Sequence, residues 1–134
     1  MTNATLDKQL MITVDNRVGA LAELTGIISE AGINVVAACA YVIDNKGFIL
    51  FVTKNNKRAK RILEQRNYNV REEEIVLLNL ENKPGALQVV SQKIADIGID
   101  LTLLYGSVAP KGKTSQIVLV SEDNRAVLLA IRKK

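Results

Sequence analysis

The chain carries the same short sequence pattern twice, 66 residues apart. The hexapeptide Asn-Arg-Val-Gly-Ala-Leu at 16–21 returns as Asn-Lys-Pro-Gly-Ala-Leu at 82–87. The pentapeptide Ala-Gly-Ile-Asn-Val at 31–35 returns as Ile-Gly-Ile-Asp-Leu at 97–101. A repeat with a fixed spacing indicates a duplicated structural unit, and these segments carry the residues of turns and helix ends. The repeat therefore limits the fold to two similar units in tandem.

The spacing of apolar residues predicts the same order of elements in both halves. Alternating residues predict strands, and residues recurring every three to four positions predict helices, each ended by a glycine. In the first half we predict strands at 9–15, 34–43 and 48–53, helices at 21–31 and 56–65, a turn at 44–47 and an extended stretch at 69–71. In the second half we predict strands at 74–81, 100–108 and 115–120, a hairpin turn at 110–113, and helices at 87–97 and 126–131.

The order strand-helix-strand-strand-helix-strand predicts an α+β fold of two ferredoxin-like βαββαβ modules. Each module has one antiparallel sheet with two helices on one face. We place module boundaries at 1–72 and 73–134. The second module lacks its own last strand. Either its sheet has only three strands, or a continuous segment at 69–81 serves both sheets.

The composition excludes the kinds of catalytic site that depend on histidine. The sequence has no histidine and a single cysteine, Cys39, so Ser-His-Asp catalysis, Cys-His catalysis and the usual zinc sites lose a required residue. Cys39 lies among alanines, and we predict a buried thiol. The acidic run 72–74 would point to alternate faces of a strand, which favours solvated charge over a metal site. We therefore predict a protein that is not an enzyme and needs no cofactor.

The charge pattern does not predict nucleic-acid binding. The net charge is +4, and much of it lies at 57–66, where basic residues surround one apolar helix face. The segment 46–52 resembles an RNA-recognition signature, but Phe48 and Phe51 are three residues apart and would point to opposite faces of a strand. No apolar run has the roughly 20 residues of a membrane span, and the polar segment 1–5 lacks the apolar core of a signal peptide. We expect a cytoplasmic protein.

The repeated segments resemble the ACT domain, a small regulatory module attached to many enzymes of amino-acid metabolism. Each segment follows a predicted strand, opens a predicted helix, and is followed by a Gly-Ile-Asn or Gly-Ile-Asp step into the next strand. The resemblance covers the chain apart from residues 1–8. It implies that modules pack side by side and hold a small ligand, commonly an amino acid, at their interface. One module supplies the loop before its first helix, and its neighbour supplies the start of its second strand.

This resemblance assigns a set of candidate ligand-binding residues. We name the loop at 16–21 the first corner and the loop at 82–87 the second corner. The candidates are Asn16, Arg17, Val18, Gly19, Ala20 and Leu21 in the first corner, Asn82, Lys83, Pro84, Gly85, Ala86 and Leu87 in the second, and the strand positions Asn34 and Asp100.

Physical chemistry supports two interpretations of these corners. A helix N-terminus attracts a carboxylate, glycine lets a ligand approach the backbone, and an asparagine amide both donates and accepts hydrogen bonds. The same residues are also ordinary for turns and helix caps, with Pro84 suited to a helix start. Taken residue by residue, the structural role is favoured, whereas the joint repeat favours a ligand site.

The two corners are not equivalent. Pairing Asn82 with Asn34 gives a neutral pair, and Pro84 stiffens that loop. Pairing Asn16 with Asp100 introduces a carboxylate, and Val18 stands where the proline would be. We hypothesise that the Asn82 combination is the better amino-acid site, and that Asp100 either holds an ammonium or belongs to a site that has lost function.

We therefore expect a regulatory sensor that binds a small molecule, an amino acid by resemblance, and controls an enzyme in trans. A homodimer is expected, without nucleic acid or membrane as partners. The alternative is a regulatory subunit or protein-interaction module of an amino-acid-metabolism enzyme with no ligand of its own. Stabilisation by one or a few amino acids would distinguish the sensor from the interaction module.

Overall fold

A computed structural model describes residues 3–108 and 114–133, with all of their side chains except those at 107 and 108. The elements in chain order are β1 (Asn3–Asp15), α1 (Ala20–Glu30), β2 (Val35–Ile43), β3 (Lys46–Thr53), α2 (Asn56–Gln65), β4 (Asn69–Glu81), α3 (Ala86–Asp96), β5 (Leu101–Val108), β6 (Thr114–Ser121) and α4 (Asn124–Arg132). The predicted hairpin turn at 110–113 lies outside the described residues.

The first module is the compact unit Lys8–Glu73. Its strands take the order β2-β3-β1-β4, and β3 pairs antiparallel with both β1 and β2. The predicted ferredoxin-like plan is confirmed here. The core between sheet and helices consists of apolar residues from α1, α2 and the strands, among them Leu10, Ile12, Leu24, Ile28, Phe51 and Leu63, none more than 1% exposed.

The second module combines Met1–Asp7 with Glu74–Lys134. Its strands take the order β1-β4-β6-β5, and β6 pairs antiparallel with β4 and β5. Its core repeats the arrangement of the first module, with buried residues that include Val76, Leu78, Val90, Ile94, Leu119 and Val127. The same fold therefore occurs twice, as the repeat predicts.

Two long strands are divided between the modules. β1 changes module after Asp7, and β4 changes module after Glu73. Ala4 packs in the second module's core, and its carbonyl accepts two hydrogen bonds from the Arg132 guanidinium, at 3.2 and 2.9 Å. In the described residues no strand follows α4. The start of β1 instead lies beside β4 as the fourth strand of the second module. The segment at 69–81 is one continuous strand, β4, but the strand beside it in the second module is the start of β1, which neither of the two alternatives left open by the sequence named.

The element bounds correct three predictions. The first strand begins at Asn3 rather than residue 9. Its first part belongs to the second module, so it does not continue the alternation of apolar residues from which the strand of the first module was predicted. The strand β3 begins at Lys46, because a tight turn needs only Asp44 and Asn45, both with positive φ. The helix α4 begins at Asn124 rather than residue 126, because the Asp123 carboxylate caps it by accepting from the Ala126 amide.

A second repeated motif joins each sheet to its second helix. In the first module the Asn56 amide oxygen accepts from the Thr53 amide and hydroxyl at 2.9 and 2.7 Å, and its nitrogen donates to the Lys8 carbonyl. In the second module Asn124 makes the same bonds to Ser121 and to the Glu74 carbonyl. Each asparagine thus ties a helix start to the point where a strand changes module.

Two further observations bear on function. Cys39 is only partly buried, because it lies on β2 at the end of the strand order, so the prediction of a buried thiol is wrong in degree. Among the residues described, none of the helices has the length and apolarity needed to span a bilayer.

Candidate functional site

The two corners have nearly the same backbone geometry. Gly19 caps α1 with φ 85° and ψ 0°, and Gly85 caps α3 with φ 85° and ψ −11°. The Ala20 amide donates to the Arg17 carbonyl at 3.4 Å, and the Ala86 amide donates to the Lys83 carbonyl at 3.3 Å. The repeated sequence therefore encodes one loop conformation twice.

Glycine is required at both caps by the backbone conformation. A positive φ of 85° places a residue in the left-handed region, where a side chain is disfavoured. A Cβ built at either glycine would meet nothing within 4 Å. The space in front of both caps is thus open, and a small molecule could approach the backbone there.

The first turn of each helix offers unpaired backbone donors. Neither glycine cap has a side-chain hydrogen bond to the helix. In the described part of the chain, the amides of Leu21 and Ala22 have no hydrogen-bond acceptor, and the same holds for Leu87 and Gln88. Free amides at a helix N-terminus favour a negatively charged group.

A cleft opens beside the first corner, within the first module. Its volume is about 200 Å³. We call it the first-corner cleft and define it by its lining residues Val14, Asn16, Arg17, Ala20, Leu21, Ala40, Tyr41, Val42, Gly47 and Ile49. Four of the predicted site residues thus share one cleft with residues of β2 and β3.

A stacked aromatic pair holds together the two hairpin strands that border this cleft. Tyr41 and Phe48 are cross-strand partners of β2 and β3, and their rings stack with centroids 5.3 Å apart and planes inclined by 24°. Offset stacking of this kind restrains both rings. The backbone amide of Asn16 donates to the backbone carbonyl of Asn45 in the hairpin turn at 2.9 Å. This bond joins the first corner to the same hairpin.

A charged network borders the first corner. The Arg17 guanidinium donates to the Glu23 carboxylate at 3.1 Å and to the Tyr68 hydroxyl at 3.4 Å, and the Tyr68 hydroxyl donates to the same carboxylate. These bonds from Tyr68 and Arg17 lower the pKa of Glu23. Burial, and then the bond to Glu23, raise the pKa of Tyr68. Sequence reasoning missed this network because Tyr68 is far from the corner in the chain.

The second corner holds its cation differently. The Lys83 ammonium contacts the Glu81 carboxylate at 2.9 Å, so it is directed back toward the end of β4. The residue equivalent to Glu23 is Val89, which is 52% exposed. The shared backbone therefore carries different side-chain chemistry at the two corners.

Neither of the two predicted strand positions, Asn34 and Asp100, is among the residues that line the first-corner cleft. Asn34 lines a separate cleft of about 380 Å³ with Thr25, Ser29 and Gly32, and its carbonyl accepts from the Lys54 amide at 3.0 Å. Asp100 is exposed, and its carbonyl accepts from the Glu122 amide at 3.3 Å. The pairings of Asn82 with Asn34 and of Asn16 with Asp100 stay predictions.

The remaining candidates divide into exposed and buried residues. Val18 is fully exposed, while Leu21 and Leu87 are 49% and 41% exposed. Ala20 and Ala86 are buried, and Ala86 belongs to the core of the second module. In the described ranges, no group of three or more His, Cys, Asp or Glu side chains is arranged to hold a metal ion.

Comparison with known families identifies the fold. The model of the ACT domain family matches residues 8–71, which coincide with the first module. The first module is therefore an ACT domain, as its corner sequence suggests. No curated protein matches the chain in sequence.

Solved structures extend the likeness to both modules. Protein BT0572 from Bacteroides thetaiotaomicron has a TM-score of 0.89 at 22% identity, with 96% of this chain and 88% of that chain covered. The regulatory subunit of aspartate kinase from Thermus thermophilus has a TM-score of 0.68 at 17% identity, with 96% and 95% covered. The regulatory subunit from Thermus flavus has the same TM-score and identity, with 97% and 94% covered. At these identities the likeness concerns the fold alone.

Proposed function

We propose that this protein is a non-catalytic sensor that binds a small molecule, an amino acid, at its repeated corners. The observation that carries the proposal is the first-corner cleft, where Asn16, Arg17, Ala20 and Leu21 line one cavity. The open space in front of both glycine caps and the unpaired amides behind them support it. All of these groups can contact a carboxylate or an amide of a small ligand without performing chemistry on it.

The proposed site uses the residues predicted from the sequence. The corner residues contact the ligand, and Asn34 or Asp100 of the adjoining module completes the site. Asn16 and Asn82 supply amides that both donate and accept, which suits an amino acid with its ammonium and carboxylate. Asn82 with Asn34 is the proposed stronger combination for an amino acid.

Binding is proposed to act on a partner. Regulation requires that the ligand bind one of two arrangements more tightly than the other, since equal affinity shifts nothing. We propose a homodimer that controls an enzyme of amino-acid metabolism in trans. The structural neighbours named as regulatory subunits of aspartate kinase support a regulatory role, and they do not identify the partner of this chain.

A thermal-shift screen with the twenty common amino acids tests the proposal. A ligand that binds only the folded protein stabilises it by about 2.7 kcal/mol at a concentration one hundred times its dissociation constant. For a chain of this size, that corresponds to a rise in the midpoint of roughly several degrees. One or a few amino acids should give this rise. A flat response to all of them would contradict the sensor.

The alternative function is an interaction module without a ligand of its own. Val42 and Ile43, at the end of β2, are 53% and 56% exposed, which is unusual for large apolar side chains in a strand. In the strand order, β2 stands last, so its outer edge could contact a partner. This alternative predicts a flat thermal-shift screen together with a loss of partner binding in a Val42→Ser variant.

A further inference from the structure

We infer that the first-corner cleft binds a short, branched aliphatic carboxylate without a charged side chain. This inference rests on the proposed function and specifies the chemical class of its ligand. It uses only the cleft of the first module, and it makes no statement about the ligand of the second corner.

The size of the cleft limits the ligand. A volume of about 200 Å³ corresponds to roughly seven water molecules at about 30 Å³ each. A ligand that fills it has a similar number of non-hydrogen atoms. Valine, with about eight such atoms, satisfies this limit. Tryptophan and arginine are much larger and would extend out of the cleft.

The walls of the cleft select an apolar tail. Val14, Ala20, Leu21, Val42 and Ile49 present only hydrocarbon side chains. Moving a branched aliphatic tail from water onto these walls is favourable, whereas a charged or hydroxylated tail would lose its hydration there. A branched tail places more hydrocarbon within a short reach than a linear tail of the same size does, which suits a ligand limited to this volume.

Arg17 supplies the positive charge. Only its Nη2 atom is used by Glu23 and Tyr68, and in the described residues its Nε and Nη1 donors have no acceptor. A guanidinium presents its donors in a planar fork that fits a carboxylate. The Glu23 and Tyr68 contacts restrain the guanidinium, which lowers the entropy lost when a ligand binds, and Arg17 lines both the first-corner cleft and a second cleft of about 410 Å³ that includes Tyr68.

The acidic residues near the cleft do not favour a ligand with a cationic side chain. No Asp or Glu lines the cleft. Asp15, the nearest acid in the chain, contacts the Lys46 ammonium at 2.7 Å, and its pKa is lowered by that bond. Glu23 is engaged by Tyr68 and Arg17. The cleft therefore favours one negative charge and a neutral tail.

The same chemistry is offered by an amino acid and by the corresponding 2-oxo acid. Both carry a carboxylate next to a branched tail, and they differ in the ammonium. Because no side chain that lines the cleft is anionic, the inference predicts that the first-corner cleft accepts both, without the Asp100 contact considered for that corner. The probes are valine, its 2-oxo acid, isobutyrate and valine amide, of which only the last lacks a carboxylate.

Methyl NMR of the full chain locates the binding. Val14, Leu21, Val42 and Ile49 line the cleft, and their methyl resonances should shift on titration with valine or its 2-oxo acid. Leu63 is fully buried in the same module away from the lining, and its methyl resonances should stay in place. Valine amide should bind at least about tenfold more weakly, since it cannot make the charge-assisted bonds to Arg17.

Two variants test the role of the guanidinium. Arg17→Gln should weaken binding of isobutyrate and of valine about tenfold or more. Arg61→Gln removes the same charge from an exposed position on α2 and should leave the affinity unchanged. An Arg17→Gln variant that binds as the wild type does would overturn the inference, provided that its spectrum shows a folded chain.

The outcomes separate this inference from the proposed function. If another amino acid stabilises the protein while none of the aliphatic probes shifts the cleft methyls, the sensor stands and the inferred class is wrong. Equal binding of valine and valine amide would also overturn the class. If no amino acid or aliphatic acid binds anywhere, both proposals fail.

Discussion

The first and second corners share a backbone and differ in their side chains. Gly19 and Gly85 cap their helices with the same left-handed conformation, and equivalent amides donate to equivalent carbonyls. Around this frame, Arg17 contacts Glu23 and Tyr68, whereas Lys83 contacts Glu81. The comparison teaches that the fold sets the same backbone frame at both corners, and that side chains outside the repeated motif, such as Tyr68, change the chemistry around it.

The largest losses of stability should come from truncating core residues in the helices behind the two corners, and the losses should be equal in the two modules. Ile28 in α1 and Ile94 in α3 occupy equivalent positions and are 1% and 3% exposed. Ile28→Ala and Ile94→Ala should each lower the free energy of unfolding by about 2–5 kcal/mol, because each leaves a cavity. Urea denaturation measures both. A loss confined to one variant would show that the two modules are not equivalent in packing.

The cap glycines provide the next comparison. Gly19→Ala and Gly85→Ala should each cost about 1–2 kcal/mol, since alanine disfavours a φ of 85°. The space around both is open, so strain in the backbone is the whole effect. Denaturation curves should give similar losses for the two variants. A neutral result at either corner would indicate that its loop changes conformation, and the shared geometry would not hold there.

A glycine inside a helix should respond in the opposite direction. Gly26 lies within α1, where a Cβ would meet nothing within 4 Å, and the equivalent residue of α3 is Gln92. Gly26→Ala should raise the free energy of unfolding by about 0.5–1 kcal/mol, because alanine restricts the unfolded chain without a clash. The thermal midpoint measures the gain. A destabilised variant would mean that α1 needs glycine for a contact not made by α3.

The smallest effect should come from the charged network at the first corner. Tyr68→Phe removes the hydroxyl that joins Glu23 and Arg17, and exposed pairs of this kind contribute little. The folded-state pKa of Glu23 is lowered from 4.5, so its contribution is present above that value and is lost as the pH falls through the lowered pKa. The pKa of Tyr68 is raised from 10.0, so its contribution is present below that value and is lost as the pH rises.

Measurements of unfolding at three pH values test this assignment. The difference between wild type and Tyr68→Phe should be largest near neutral pH and should shrink both well below 4.5 and above 10.0. A difference independent of pH would show that the phenol ring, rather than its hydroxyl, stabilises the corner.

The sequence predicted the parts of the fold that local chemistry determines. The helix at 56–65 has the predicted bounds, and Gly32 and Gly98 follow their helices with the left-handed conformation expected of a helix end. The division of β1 between modules could not be predicted, because residues 3–7 meet the second module only through tertiary contacts. Tyr68 and Tyr41 were missed near the first corner for the same reason, since no local pattern connects them to Arg17 or Asn16.

Titration calorimetry of a double variant, Asn16→Ala with Asn82→Ala, tests the central claim most directly. Using the amino acid that gives the largest thermal shift, we expect the double variant to lose about tenfold or more in affinity, as the amides of both corners are removed. Of the single variants, Asn82→Ala should lose more, and equal losses would contradict that ranking. A folded double variant that binds the amino acid as tightly as the wild type does would show that the ligand does not contact the corners.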